Sequence, residues 1–169
     1  MIDSHIHLNI KEYYKKPYEV IADLKGNGVM AVVDIATDIP SSRRSIYLSE
    51  AYKGLVFATA GIHPENIDGP VDSNTLEELE NLYKTGKIVA VGEIGLDKTY
   101  IKDTKKFDLV FDSQKQLFIT QLELAKKYNL PVVLHSRDTT KEMLNILKAY
   151  KGELKGVWHC FVESLDIAR

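Results

Sequence analysis

The sequence predicts an α/β fold of the (β/α)8 TIM-barrel type, with only the first six βα units present. Three observations lead there. Short β-branched apolar runs alternate with helical patterns along the 169 residues, which is the signature of serial βα units around a parallel sheet. No Gly-x-Gly-x-x-Gly follows the first run, so a dinucleotide-binding open sheet lacks its phosphate loop. All five histidines sit in or at the end of strand-like runs, and in β/α barrels metal ligands gather at the carboxyl ends of strands. A closed barrel takes about 250 residues. This chain stops at Leu165-Asp166-Ile167-Ala168-Arg169, inside what reads as the sixth helix, so the barrel is expected to be unfinished, with two open strand edges.

The first strand begins at Ile2 and runs into His5-Ile6-His7. Pro17 then opens a helix over Tyr18 to Lys25, which Gly26 and Gly28 end. Val29 to Ile35 and Leu55 to Gly61 read as the second and third strands. Asp72-Ser73-Asn74 caps a helix over Thr75 to Thr85, closed by Gly86. Ile88 to Gly92 is the fourth strand, with Glu93 closing it. A helix over about Ser113 to Tyr128 carries Leu117, Phe118, Gln121, Leu122, Leu124 and Ala125 as a stripe facing the sheet. Pro131 to Leu134 is the fifth strand, a helix follows that ends at Ala149-Tyr150-Lys151 before Gly152, and Gly156 to Trp158 is the sixth strand.

Composition sets the outer bounds. With 44% hydrophobic residues the chain suffices for one sizeable core, so residues 1–169 are expected to form a single domain. Twenty-two basic and 24 acidic residues leave a net charge of -2, too little to hold a long polyanion by its overall field. Nucleic-acid contacts must be local. Cys160 is the sole cysteine, which excludes an intrachain disulfide and fits a reducing cytoplasm. Neither a leader pattern nor an apolar run near the roughly 20 residues of a membrane span is present, so the expected location is cytoplasmic, with no membrane partner.

The chemistry concentrates on one rim. In His5-Ile6-His7 strand alternation points both imidazoles to the same side, where two nitrogens converge on one ion. His63, His135 and His159 each end a later strand. Any one of them alone fits a core histidine with a backbone partner, but together they do not. Glu93 lies among apolar residues and glycines, where an unpaired carboxylate costs several kcal/mol, and a cation offsets that cost. The glycines around it, Gly92 and Gly95, are expected to let the backbone turn closely around an inserted group. Asp97 and Asp3 fit either ordinary loop carboxylates or groups that orient a ligand. Imidazole plus carboxylate favours Zn, Mn, Fe, Ni or Co. A carboxylate between two histidine groups suits two ions about 3.5 to 4 Å apart, the arrangement of metal-assisted phosphoester hydrolysis. Arg137 offers a planar fork for a phosphate, or a rim ion pair with Asp138 or Glu142.

At these residues the chain resembles the TatD-type deoxyribonucleases, a branch of the metal-dependent hydrolases with (β/α)8 barrels. The resemblance is carried by Asp3-Ser4-His5-Ile6-His7, Gly61-Ile62-His63-Pro64, Gly92-Glu93-Ile94-Gly95-Leu96-Asp97, Asn129-Leu130-Pro131 through His135-Ser136-Arg137-Asp138, and His159-Cys160-Phe161. It implies that His5 and His7 hold one ion, that His135 and His159 hold the other, and that Glu93 bridges them. It further implies that His63 and Arg137 face the scissile phosphate. The implied activity is divalent-metal-dependent cleavage of DNA, including exonuclease action from 3′ ends of single strands, with Zn, Mn, Ni, Co or Mg as cofactor, two ions in a complete site. Two departures matter. The family's later Thr-Asp-Ser-Pro segment, whose aspartate completes the first metal site, does not occur in these 169 residues, and Val162-Glu163-Ser164 replaces the usual small residues after His-Cys-Phe. The chain is therefore expected to be a fragment that holds the His135/His159 ion better than the His5/His7 ion. Two segments are expected to be loops that meet DNA ends or a small phosphodiester: Tyr13-Tyr14-Lys15-Lys16, and Lys98-Thr99-Tyr100-Ile101-Lys102 with Lys105-Lys106-Phe107. Competing expectations are amide or lactone hydrolysis on a similar ligand set, and a catalytically incomplete metal-binding module.

Overall fold

A computed structural model describes residues 1–168; Arg169 lies outside them, as does that end of the expected sixth helix. Six strands form one parallel sheet in the order β1 (Ile2–Ile6), β2 (Ala31–Asp34), β3 (Val56–Ala60), β4 (Ile88–Asp97), β5 (Val132–Arg137) and β6 (Gly156–Trp158). Every neighbouring pair is parallel and consecutive, so each strand is followed by a crossover and the sheet curls as a half-barrel. Among the described residues β1 pairs only with β2 and β6 only with β5, leaving the two open edges the sequence implies.

The crossovers are α1 (Lys11–Tyr14) and α2 (Pro17–Gly26), then α3 (Ile39–Ala51), α4 (Ser73–Lys84), α5 (Phe107–Lys127) and α6 (Thr140–Leu147), with the short α7 (Leu165–Ala168) after β6. Capping explains the starts. Asp72 Oδ1 accepts from Thr75 N at 3.0 Å, and Asp38 forms a reciprocal capping box with Ser41 before Pro40 at the first turn of α3. The sequence gives α3 no legible stripe because serines 41, 42 and 45 occupy its buried face and hydrogen-bond inward. Two element bounds are corrected. α5 starts at Phe107 rather than Ser113, because Val110 and Phe111 continue the buried stripe one turn earlier than the lysine-rich approach indicates. β4 runs on to Asp97 because its pairing with β5 continues through Asp97↔Arg137, which places Glu93 inside the strand rather than at its end.

The main core lies between the sheet and α4, α5 and α6, and contains Leu79, Val91, Ile94, Leu96, Phe118, Leu122 and Met143. A smaller cluster of Leu8, Ile21, Val32, Leu48 and Val56 packs α2 and α3 against β1 to β3. An apolar cavity of about 870 Å³ runs along the β6 flank between Leu134, Leu144, Leu147 and Trp158 and is lined by no histidine. No described helix is long and apolar enough to cross a membrane.

Candidate metal centre at the strand ends

The carboxyl ends of the strands bring the predicted residues together around Glu93. Its carboxylate is 4% exposed and touches imidazoles on two sides: His5 Nε2 lies 3.4 Å from Oε2, and His135 Nδ1 lies 3.2 Å from Oε1. Two sets of potential ligand atoms fall within 4.8 Å of one another, His5, His7 and Glu93 in one, His63, Glu93 and His135 in the other. Glu93 belongs to both. His159 does not enter the second set; its ring stacks on His5 with centroids 3.4 Å apart and planes 9° apart. Burial works against the charge on Glu93, yet the facing rings of His135 and His5 and the nearby His63 outweigh it, and its carboxyl sits well below the usual range.

Three of the imidazoles are oriented by a partner that fixes a proton. His7 Nδ1 faces the carbonyl of Ile35 at 2.8 Å, which only accepts, so Nδ1 carries the hydrogen and Nε2 keeps its lone pair. His63 is the reverse: its Nδ1 accepts from Glu65 N at 3.1 Å, so the neutral ring carries its proton on Nε2. His135 Nε2 lies 2.7 Å from Asp97 Oδ2, and Asp97 is only 1% exposed, its other oxygen accepting from Thr99 N and Oγ1. Asp97 therefore orients a histidine and is not a bare loop carboxylate. Asp3 has a different task, accepting from His5 N at 3.0 Å within β1.

Electrostatics separates the rings. Burial, then repulsion from His135, depresses His63 to about 4. His159 is also lowered, by burial and by His5. His135 loses to burial but gains more from Glu93 and Asp97, and is raised. For His63 the unfolded chain takes up its proton near pH 6.5 while the folded chain stays neutral to about pH 4. Its contribution to stability is thus present above pH 6.5 and lost as pH falls toward 4. Replacing His63 with Phe should flatten the acid limb of a pH series of urea denaturation curves, removing roughly 3 kcal/mol of pH dependence across that window.

Imidazole nitrogens and one shared carboxylate are a donor set for divalent transition ions, and His5 Nε2, buried without a hydrogen bond, is a donor atom such an ion satisfies. The residues fit the cofactor. Arg137 is exposed at the end of β5, on a cleft of about 390 Å³ shared with His135, His159 and Phe161. Its expected rim pair with Glu142 is taken instead by Lys98, at 2.5 Å.

Other expectations are corrected. Gly92 and Gly95 admit no inserted group; they admit strand β5, since a Cβ on Gly92 would meet Val133 Cβ at 2.7 Å and one on Gly95 would lie 1.9 Å from His135 O. Tyr13 and Tyr14 form the end of α1 rather than a loop, with Arg44 5.8 Å above the Tyr14 ring. Tyr100 is 46% exposed and meets the His63 ring edge-on at 6.0 Å, so this second aromatic segment does border the site. Sequence reasoning passes over Asn9 and Asp34, whose buried side chains bond each other at 2.7 Å and tie Ile35 O and Leu8 N around His7. It also passes over Gln114 and reads Gln121 only as part of the stripe facing the sheet, although their spacing of seven along α5 puts two amides on a buried face; polar residues at interior helical positions are the signal that marks them.

Comparison with known proteins agrees with this geometry. Residues 2–169 match the family described as TatD related DNase. YabD of Bacillus subtilis, named an uncharacterized metal-dependent hydrolase, is 36% identical over 171 residues, covering 100% of this chain and 64% of its own length. The protein named 3′-5′ ssDNA/RNA exonuclease TatD of Edwardsiella piscicida is 29% identical over 167 residues, covering 98% and 62%. The crystal structure of YJJV, a TatD homolog from Escherichia coli, superposes with a TM-score of 0.86 at 32% identity, over 99% of this chain and 62% of that one. The chain thus spans under two thirds of the length of these relatives. A family match along nearly every residue, joined to a carboxylate shared by two histidine groups, leaves one assignment: the chain belongs to the TatD related DNase family.

Proposed function

We propose that the chain forms the larger part of a divalent-metal-dependent phosphodiesterase that shortens DNA from 3′ ends. The observation that carries this reading is Glu93, one buried carboxylate common to two ligand groups. In this reading His5 and His7 would hold one ion and His135 and His159 the other, with Glu93 available to both. When bound, divalent ions would supply positive charge toward a phosphate and lower the pKa of water at the site.

The chain's own residues do the rest. His7 and His135 have their remote nitrogens tied to Ile35 O and Asp97, which leaves the near nitrogens free as donors. The depressed His159 is neutral at pH 7, the form a ligand requires. His63 is neutral too, but its tautomer presents Nε2–H, so it donates a hydrogen bond to a phosphate oxygen rather than binding an ion. Arg137, exposed beside His135, supplies a charged fork to the same phosphate. Tyr100 offers a ring face for a terminal base.

The test is a 5′-labelled single-stranded oligonucleotide incubated with the chain and Mn²⁺, Mg²⁺ or Zn²⁺. The expected product is a ladder shortened from the 3′ end, absent with chelator and with Glu93→Gln. Metal-dependent cleavage of an amide or lactone with DNA left intact would replace this reading.

A further inference from the structure

The strand ladder between β3 and β4 ends at Ala60↔Val91, before either strand's catalytic residues are reached. Past that point the backbone of Ile62-His63-Pro64 and the end of β4 at Asp97 have no ladder between them. His63 N donates to Thr37 O at 2.8 Å, and α5 supplies bonds on either side of it. Gln121, 1% exposed, accepts from Ile62 N at 2.8 Å and donates to Ile62 O at 3.1 Å. Gln114, also 1% exposed, accepts from Asp97 N at 3.0 Å and donates from Nε2 to Asp97 O at 3.0 Å and to Pro64 O at 3.3 Å. An amide used in this manner behaves as one rung of a sheet, supplied by a side chain. Both of its polar atoms are satisfied, which is what a deeply buried glutamine requires.

The two glutamines are not equivalent. Gln121 grips one residue on the N-terminal side of His63. Gln114 joins two elements: the turn just after His63 and the strand end bearing Asp97, whose carboxylate in turn lies 2.7 Å from His135 Nε2. We propose that Gln114 is a positioning residue, an amide clip that holds the His63 turn and the Asp97–His135 pair in one frame and thereby fixes the aim of His135 at its ion. The inference rests on the reading of His135 as a metal ligand. It gives α5 a part in the site although no side chain of that helix reaches an ion or substrate.

The experiment is a calorimetric titration of Zn²⁺ into the metal-free chain, with Glu93→Gln as the reference for lost binding. If the native chain binds no Zn²⁺, or Glu93→Gln binds it equally well, the metal-site reading fails whatever Gln114 does. Given native binding, Gln114→Met should weaken Zn²⁺ by about 10-fold and Asp97→Asn by about 10- to 100-fold, the range for groups that orient a ligand. On the Asp97→Asn background Gln114→Met should add less than about twofold, because both changes act through one carboxylate. Gln121→Met removes an equally buried amide from the same helix and should lower the urea midpoint similarly while leaving Zn²⁺ affinity within about twofold. Should Gln114→Met not fold, Gln114→Glu keeps the acceptor for Asp97 N and is expected to lose an intermediate share of affinity. Unchanged Zn²⁺ affinity in a folded Gln114 variant, full additivity with Asp97→Asn, or an equal loss in Gln121→Met would overturn the proposal.

Discussion

Glu93→Gln is expected to leave the chain folded and to lower its affinity for divalent ions by at least about 100-fold, since groups that merely orient a ligand already contribute 10- to 100-fold. The reason lies in the ligand count. Each histidine set reaches its third donor only through this carboxylate, and the amide that replaces it offers one weak acceptor and no charge. The fold tolerates the change because Glu93 is held by imidazoles and by its own backbone, whose N–H donates to Ala36 O at 2.7 Å, and that bond survives. Without metal the variant has one fewer buried charge beside rings that compete for it, so its urea midpoint should stay near that of the native apo chain. Calorimetry with Mn²⁺ or Zn²⁺ measures the loss directly, and a variant that binds as tightly as the native chain would remove Glu93 from the centre of the site.

Gly95→Ala should be the most damaging single methyl group in the sheet. Gly95 has φ +152°, and the added Cβ would sit 1.9 Å from His135 O and 2.8 Å from His135 C. These are backbone atoms of the paired strand, so no rotamer relieves the overlap. β4 and β5 must move apart at the register position Gly95↔His135, beside the metal centre. A cost of about 3 kcal/mol or more follows from overpacking and backbone strain together. Gly86→Ala is the internal control, with φ +66° but open space around the new methyl, and should cost only about 1 kcal/mol. Equilibrium urea unfolding of the two variants compares them, and equal midpoints would show that the strand contact yields.

Much of this architecture is legible because hydrophobic periodicity and glycine punctuation are local signals. Gly156–Trp158 and the Asp72 cap are read where the structure has them, and the histidines at strand ends announce the rim. What escapes the sequence is pairing across long separations. Glu93 lies within β4 only because β5 continues alongside it, a fact written in residues 134 to 137 and not around Glu93 itself. Gly92 and Gly95 look like room for a ligand and are room for a strand. Likewise the roles of Asn9 and Asp34 depend on β1 and β2 being neighbours, and α3 hides because serines fill its inward face. The imidazole tautomers, which divide donors from ligands, follow from single carbonyl and amide partners that no spacing reveals.

The ring of His5 lies against the ring of His159, although β1, which bears the first, and β6, which ends just before the second, stand at opposite margins of the sheet. Nearly the whole chain is therefore a loop whose two ends meet at the candidate centre. A ligand held by residues at both ends would act as a clasp on that loop, and its binding free energy would favour the curled form. Affinity and curvature then become one variable. A substitution along the β4–β5 seam that changes the curl would reach the centre by altering how far the arc must bend before the clasp fits.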